Sequence, residues 1–157
     1  MNDMNRLAAV IAAAIVVPIG LTGCASTPDK TQSVVAAAVA AADPDITDVY
    51  VTTGSGVAGT SIRVRVYVQP LDTEGVARVI DESLKAILVS APERPASFSL
   101  DVAEGDKPSD VNLNVGAIDL EDAARAADLY EHYSDDSLSG PTDVLEDRFG
   151  TWEELHG

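Results

Sequence analysis

The stretch Ile62-Arg63-Val64-Arg65-Val66-Tyr67-Val68-Gln69 constrains this chain more than any other. Apolar and polar residues alternate strictly along it, and three of its four apolar positions are valine. A β-strand sends successive side chains to opposite faces, so the alternation predicts a strand with one apolar and one polar face. Slipping its pairing by one residue would turn the arginines into the core, which pins the register. The remaining elements must therefore supply neighbours for this strand and cover at least one of its faces.

The neighbours are legible in outline. Ser33 to Ala42 is rich in Ala and Val, with Thr31 or Ser33 as a cap and Pro44 as a stop, which predicts a helix. Asp48 to Thr53 reads as a strand, and the glycine-rich Gly54–Gly59 stretch joins it to the alternating strand as a hairpin. Asp72 or Thr73 can cap a second helix, whose apolar positions Val76, Val79, Ile80, Leu84, Ile87 and Leu88 recur at helical spacing. Beyond the turn at Pro92 and Pro95, a second hairpin is expected. One arm carries Phe98, Leu100 and Val102, the other Val111, Leu113 and Val115. Asp119 then caps a third helix, with Ala123, Ala127, Tyr130 and Tyr133 on one stripe.

The order α-β-β-α-β-β-α predicts an α+β two-layer sandwich, an antiparallel four-stranded sheet with helices on one face. Laying Gly54 on Gly105, an offset of 51 residues, superposes the two αββ units and hints at a duplication. The expected organisation is a segment 1–23, a tether 24–32, an α+β domain 33–134 and an acidic segment 135–157 with an aromatic tail.

Charge and residue usage exclude several functions. The 157 residues carry a formal net charge of −16, from 26 acids and 10 bases. Residues 24–100 hold nine acids and six bases, whereas 101–157 hold sixteen and three. Phosphate binding needs clustered Lys and Arg, so no nucleic-acid partner is expected. Gly54-Ser55-Gly56-Val57-Ala58-Gly59 fits a dinucleotide fingerprint, but it precedes a strand. No helix N-terminus follows to receive a pyrophosphate, and no cofactor is expected. The two histidines are His132, beside Tyr130 and Tyr133 at the expected end of the third helix, and the penultimate His156. Neither falls in a nucleophile-elbow or zinc-protease motif, and the reading is not an enzyme. Asp135, Asp136, Asp143, Glu146 and Asp147 could offer oxygen ligands to a calcium ion, but their spacing matches no EF-hand loop.

The N-terminus carries a different signal. Arg6 precedes an apolar run from Leu7 to Ile19, 13 residues. That is shorter than the roughly 20 needed to span a bilayer, and it has the layout of a secretory signal peptide. Asp3 sits poorly in such a segment, and a start at Met4 would remove it. Leu21-Thr22-Gly23-Cys24 resembles the lipobox of bacterial lipoproteins, with the chain's single cysteine at the required place. The resemblance covers residues 1–24. It implies that Cys24 takes a diacylglyceryl group and becomes the first residue after cleavage. Two acyl chains suffice for stable attachment. The expected location is the extracytoplasmic side of a cell membrane.

Two surfaces are candidates for binding. The polar face of the sheet would present Arg63, Arg65 and Tyr67 beside Ser97, Ser99, Asp101, Asn112 and Asn114, with Arg63 or Arg65 able to pair with Asp101 across strands. In the tail, Val144, Leu145, Phe149, Trp152 and Leu155 return at helical spacing. Phe149 and Trp152 either seal the domain's own core or are offered to an envelope partner. The function read from these residues is a lipid-anchored, non-catalytic binding or accessory module. The alternative is a small-ligand or divalent-cation binder using the acidic segment.

Overall fold

A computed structural model describes residues 30–157, and Cys24 with its signal segment lies outside them. The first helix, α1 (Lys30–Ala40), buries Val35 and Val39. Strands β1 (Ile46–Gly56) and β2 (Gly59–Val68) form the expected hairpin, with Val49 opposite Val66 and Val51 opposite Val64. Helix α2 (Thr73–Ser90) starts where Asp72 accepts the Gly75 amide, so a side chain satisfies one of the amides left open at a helix start. Val79, Ile80, Leu84, Ile87 and Leu88 are fully buried along it. Each such burial is worth about 1.5–3 kcal/mol against exposure, so this face dominates the helix layer.

Strand β3 (Ser97–Glu104) departs from expectation. It lies beside β2 but runs parallel to it, with Val64 beside Leu100 and Arg65 beside Asp101. Helix α2 is the crossover that a parallel pair requires. Residues 111–115 form no strand, so the second hairpin, the all-antiparallel sheet and the duplication fall together. The reason is local. Val111 to Val115 lies in a turn where the Asn114 amide donates to Asn112 Oδ1, and its backbone carbonyls face arginines rather than a strand.

The place beside β3 is taken by β5 (Ser137–Pro141), which also pairs with the two-residue β4 (Tyr133–Ser134). The result is a five-stranded mixed sheet in the order β1-β2-β3-β5-β4. The acidic segment thus supplies a strand of the sheet. The β4–β5 turn is Asp135-Asp136, both at positive φ, the arrangement that two-residue hairpins favour and that Asp tolerates better than most.

Helix α3 (Glu121–Ala126) is shorter than expected. Asp119 does accept the Glu121 amide, but the chain turns out at Asp128 and continues as a 3-10 turn, Tyr130–His132. His132 therefore lies in this turn and not in α3. The tail forms α4 (Asp143–Phe149) and α5 (Trp152–His156), separated by Gly150 at a φ of 109°. Helices α1, α3, α4 and α5 pack against α2, and among the described residues no helix is long and apolar enough to cross a membrane.

Candidate functional site

The helix layer covers the face of the sheet bearing Ile62, Val64, Val66 and Val68, all buried. Among the described residues the opposite face is covered by the connection from Gly105 to Ile118, which crosses it as a strap, its carbonyls bonded to Arg63 and Arg65. This arrangement reverses one expectation. Arg65 and Tyr67, read as outward-facing, are each 3% exposed, and only Arg63 of the three keeps substantial access to solvent.

Arg65 holds the strap to the sheet. Its Nε pairs with Asp101 Oδ1 on the neighbouring strand, Nη1 donates to the carbonyls of Asn112 (2.9 Å) and Val115 (2.6 Å), and Nη2 to that of Leu113 (3.1 Å). Burying this guanidinium is costly, and the paired carboxylate together with three carbonyls offsets the loss of water. Arg63 adds a second tie, Nη2 to Leu113 O at 2.5 Å. The same nitrogen stands 3.5 Å from Asp101 Oδ2, an ion-pair distance that is too long for a good hydrogen bond. The cross-strand pairing expected for Asp101 is thus present, with Arg65 as the close partner.

Between strap and sheet lies a cleft of about 530 Å³. Its floor is Ser61 and Arg63 of β2 with Ser97, Ser99 and Asp101 of β3. Its walls are Leu113 to Ala117 on one side and Asp135, Asp136 and Ser137 on the other. The parallel register puts Ser61 beside Ser97 and Arg63 beside Ser99, so hydroxyls and the guanidinium share one row. Two polar atoms on this floor are buried without a hydrogen-bond partner, Arg63 Nε and Asp101 Oδ2. Among the described residues neither Asp135 nor Asp136 forms an ion pair. Their carboxylates meet only the hydroxyls of Ser134 and Tyr133. Tyr67 lines a smaller cleft of about 230 Å³ beyond Arg65, where its hydroxyl has no partner.

The other expected surface is already occupied. Phe149 and Trp152 pack against the domain's own core. The tail is tied down by Arg94, which bonds Asp143 (2.5 Å) and Glu146 (2.6 and 2.9 Å), and by Arg148 to Asp81 at 2.6 Å. Arg94 holds the Glu146 carboxyl below its usual range, and the guanidinium is pushed up in turn. The His156 ring stacks on Trp152 at 3.7 Å with Nε2 3.0 Å from the Val89 carbonyl. The acids considered for calcium are dispersed. Asp143 and Glu146 serve Arg94, Asp135 and Asp136 stand at the cleft, and no group of three acidic, His or Cys side chains suited to a metal occurs among the described residues. Neither histidine lines the cleft.

Sequence reasoning placed Arg63, Ser97, Ser99, Asp101 and Asn114 on one surface, and the cleft brings them together. It missed Ser61, Ser137 and the Asp135-Asp136 wall. The available signal was Ser134-Asp-Asp-Ser137, a two-residue turn preceding Leu138, which places those acids at a strand end. Comparison with protein-family models, with curated proteins and with solved structures finds no match.

Proposed function

We propose that this chain is a lipid-anchored, non-catalytic binding protein of the cell envelope, and that its ligand site is the cleft between sheet and strap. The observation that supports it is the unsatisfied donor and acceptor, Arg63 Nε and Asp101 Oδ2, on the floor of a small-molecule-sized concavity. Buried polar atoms are nearly always paired, and the exceptions in native folds call for an explanation. A cleft of this volume falls within the range of small-molecule sites, about 300–1,000 Å³. Among the described residues the cleft's serines have no histidine beside them.

The anchor reading rests on Leu21 to Cys24 and on the position of α1. Gln32 at its start donates to Thr53 Oγ1 at 3.2 Å, so the end of the sheet bearing Gly54 and Ser61 lies near the start of α1. The cleft would then open close to the membrane.

The test is hydrogen exchange on the full-length protein in vesicles, with and without a low-molecular-mass extract of the cell envelope. Protection confined to residues 61–65, 97–101 and 111–117 is the expected result. Unchanged exchange throughout would overturn the binding reading. For the anchor, Cys24→Ala is expected to leave the membrane fraction or remain uncleaved, and unaltered attachment would refute it.

A further inference from the structure

We infer that the cleft takes a polyhydroxylated small molecule, a saccharide or cyclic polyol recognised through its hydroxyl edge. This inference rests on the binding reading above and gives the ligand a chemical class.

The argument starts from the two orphaned atoms. Arg63 Nε can only donate and Asp101 Oδ2, as a carboxylate oxygen, can only accept. A cationic ligand would satisfy the acceptor and repel the guanidinium, and an anionic one would do the reverse. A hydroxyl group both donates and accepts, so a single hydroxyl, or two on adjacent carbons, can answer both atoms of the same ion pair. The surroundings have the same character. Ser61, Ser97 and Ser99 stand on the floor with Ser137 on the wall, and each can act as donor or acceptor toward a neutral partner.

Charge argues against an anion. Asp101 is matched by the two arginines, while Asp135 and Asp136 leave a negative wall in a chain already at −16. A phosphate or carboxylate ligand would meet that wall unfavourably. Among the described residues the one aromatic lining the cleft, Phe98, is buried at 3% exposure, so recognition would be by edge hydrogen bonds rather than by stacking on a ring face.

Access is controlled by Arg63. Both orphaned atoms are shielded from solvent, but the Arg63 side chain is 37% exposed and is bonded to the strap through Nη2 alone. Rotation of this one side chain opens the floor. Arg65 keeps the strap in place meanwhile, because its own bonds do not involve Arg63.

The experiment uses the full-length protein in detergent micelles and reads saturation-transfer NMR with glucose, N-acetylglucosamine and myo-inositol as probes, and with spermidine and methyl phosphate as charged controls. At least one hydroxylated probe is expected to bind, with affinity falling about ten-fold or more in Arg63→Met, as for a lost bond to a charged group. Ser99→Ala, which leaves both ion pairs intact, should weaken the same probe. Arg125→Ala, outside the cleft, should not. Circular dichroism of each variant establishes that it folds. In parallel, periodate treatment, which cleaves vicinal diols, should abolish the exchange protection given by the envelope extract. If the extract protects the cleft equally after periodate, or only spermidine or methyl phosphate binds, the saccharide class is wrong while the binding reading stands. If neither extract nor any probe binds, both fall.

Discussion

At the scale of single residues, Arg65 carries the most consequence. It is buried, it neutralises Asp101 and it serves three carbonyls of the strap. Arg65→Met would leave a buried carboxylate without its close partner, so unfolding free energy in urea is expected to drop by about 3–5 kcal/mol. A loss under about 1 kcal/mol would mean that the strap is held by other contacts. Alternation in the sequence assigned Arg65 to the polar face correctly. It could not say that this face is roofed, because roofing depends on where a connection forty residues later chooses to lie. Tyr67 illustrates the same limit: its parity was legible and its burial was not.

At the scale of elements, α2 is the best-specified part of the fold, in sequence and in structure alike. Its cap, periodicity and length all agree, and Asp72→Ala is expected to cost about 1 kcal/mol, measured as a shift in the denaturation midpoint. Strand β3 was legible as a strand but not in direction, since Phe98, Leu100 and Val102 alternate equally well in parallel and antiparallel pairing. Residues 111–115 mimic a strand by alternation, yet Arg65 binds their carbonyls before a neighbouring strand can. Conversely, β5 offers only Leu138 as an apolar signal and ends at Gly140-Pro141, so it reads as a loop until β3 is seen to lack a partner. The tail is a further case. Its apolar spacing was visible, and α2 supplies the docking surface. Trp152→Ala should free the last helix, giving faster proteolysis after Arg148 with little change at the cleft. Equal cleavage rates in both proteins would show that Arg94 and Arg148 alone hold the tail.

For the whole molecule, the ion pairs set a dependence on pH. Glu146 is held low by Arg94, Asp48 by Lys107, and Asp119 by the Glu121 amide and the Tyr133 hydroxyl. Groups with lowered folded values contribute stability that is present above their unfolded values, 3.8 for Asp and 4.5 for Glu, and is lost as pH falls through the folded ones. Tyr133 has the opposite sign. Its hydroxyl donates to Asp119 and its pKa is pushed up to about 12 from 10.0, so its contribution is full below pH 10.0 and disappears as pH rises through about 12. Thermal melts should therefore decline at both extremes, with Tyr133→Phe blunting the alkaline limb and Glu146→Gln the acid limb. Limbs that do not change in these variants would assign the decline to other groups.

The parallel pairing of β2 with β3 also dictates an order of events during synthesis. The β1–β2 hairpin and α2 need only local contacts and can form as soon as they emerge, whereas β3 pairs across an intervening helix and then waits for Ser137–Pro141 to cover its other edge. Until those residues are made, Phe98 and Leu100 belong to a strand with an open side, the kind of edge that recruits other chains. If the proposed export takes place after synthesis is complete, the closing strand already exists when β3 first folds, and this interval does not arise.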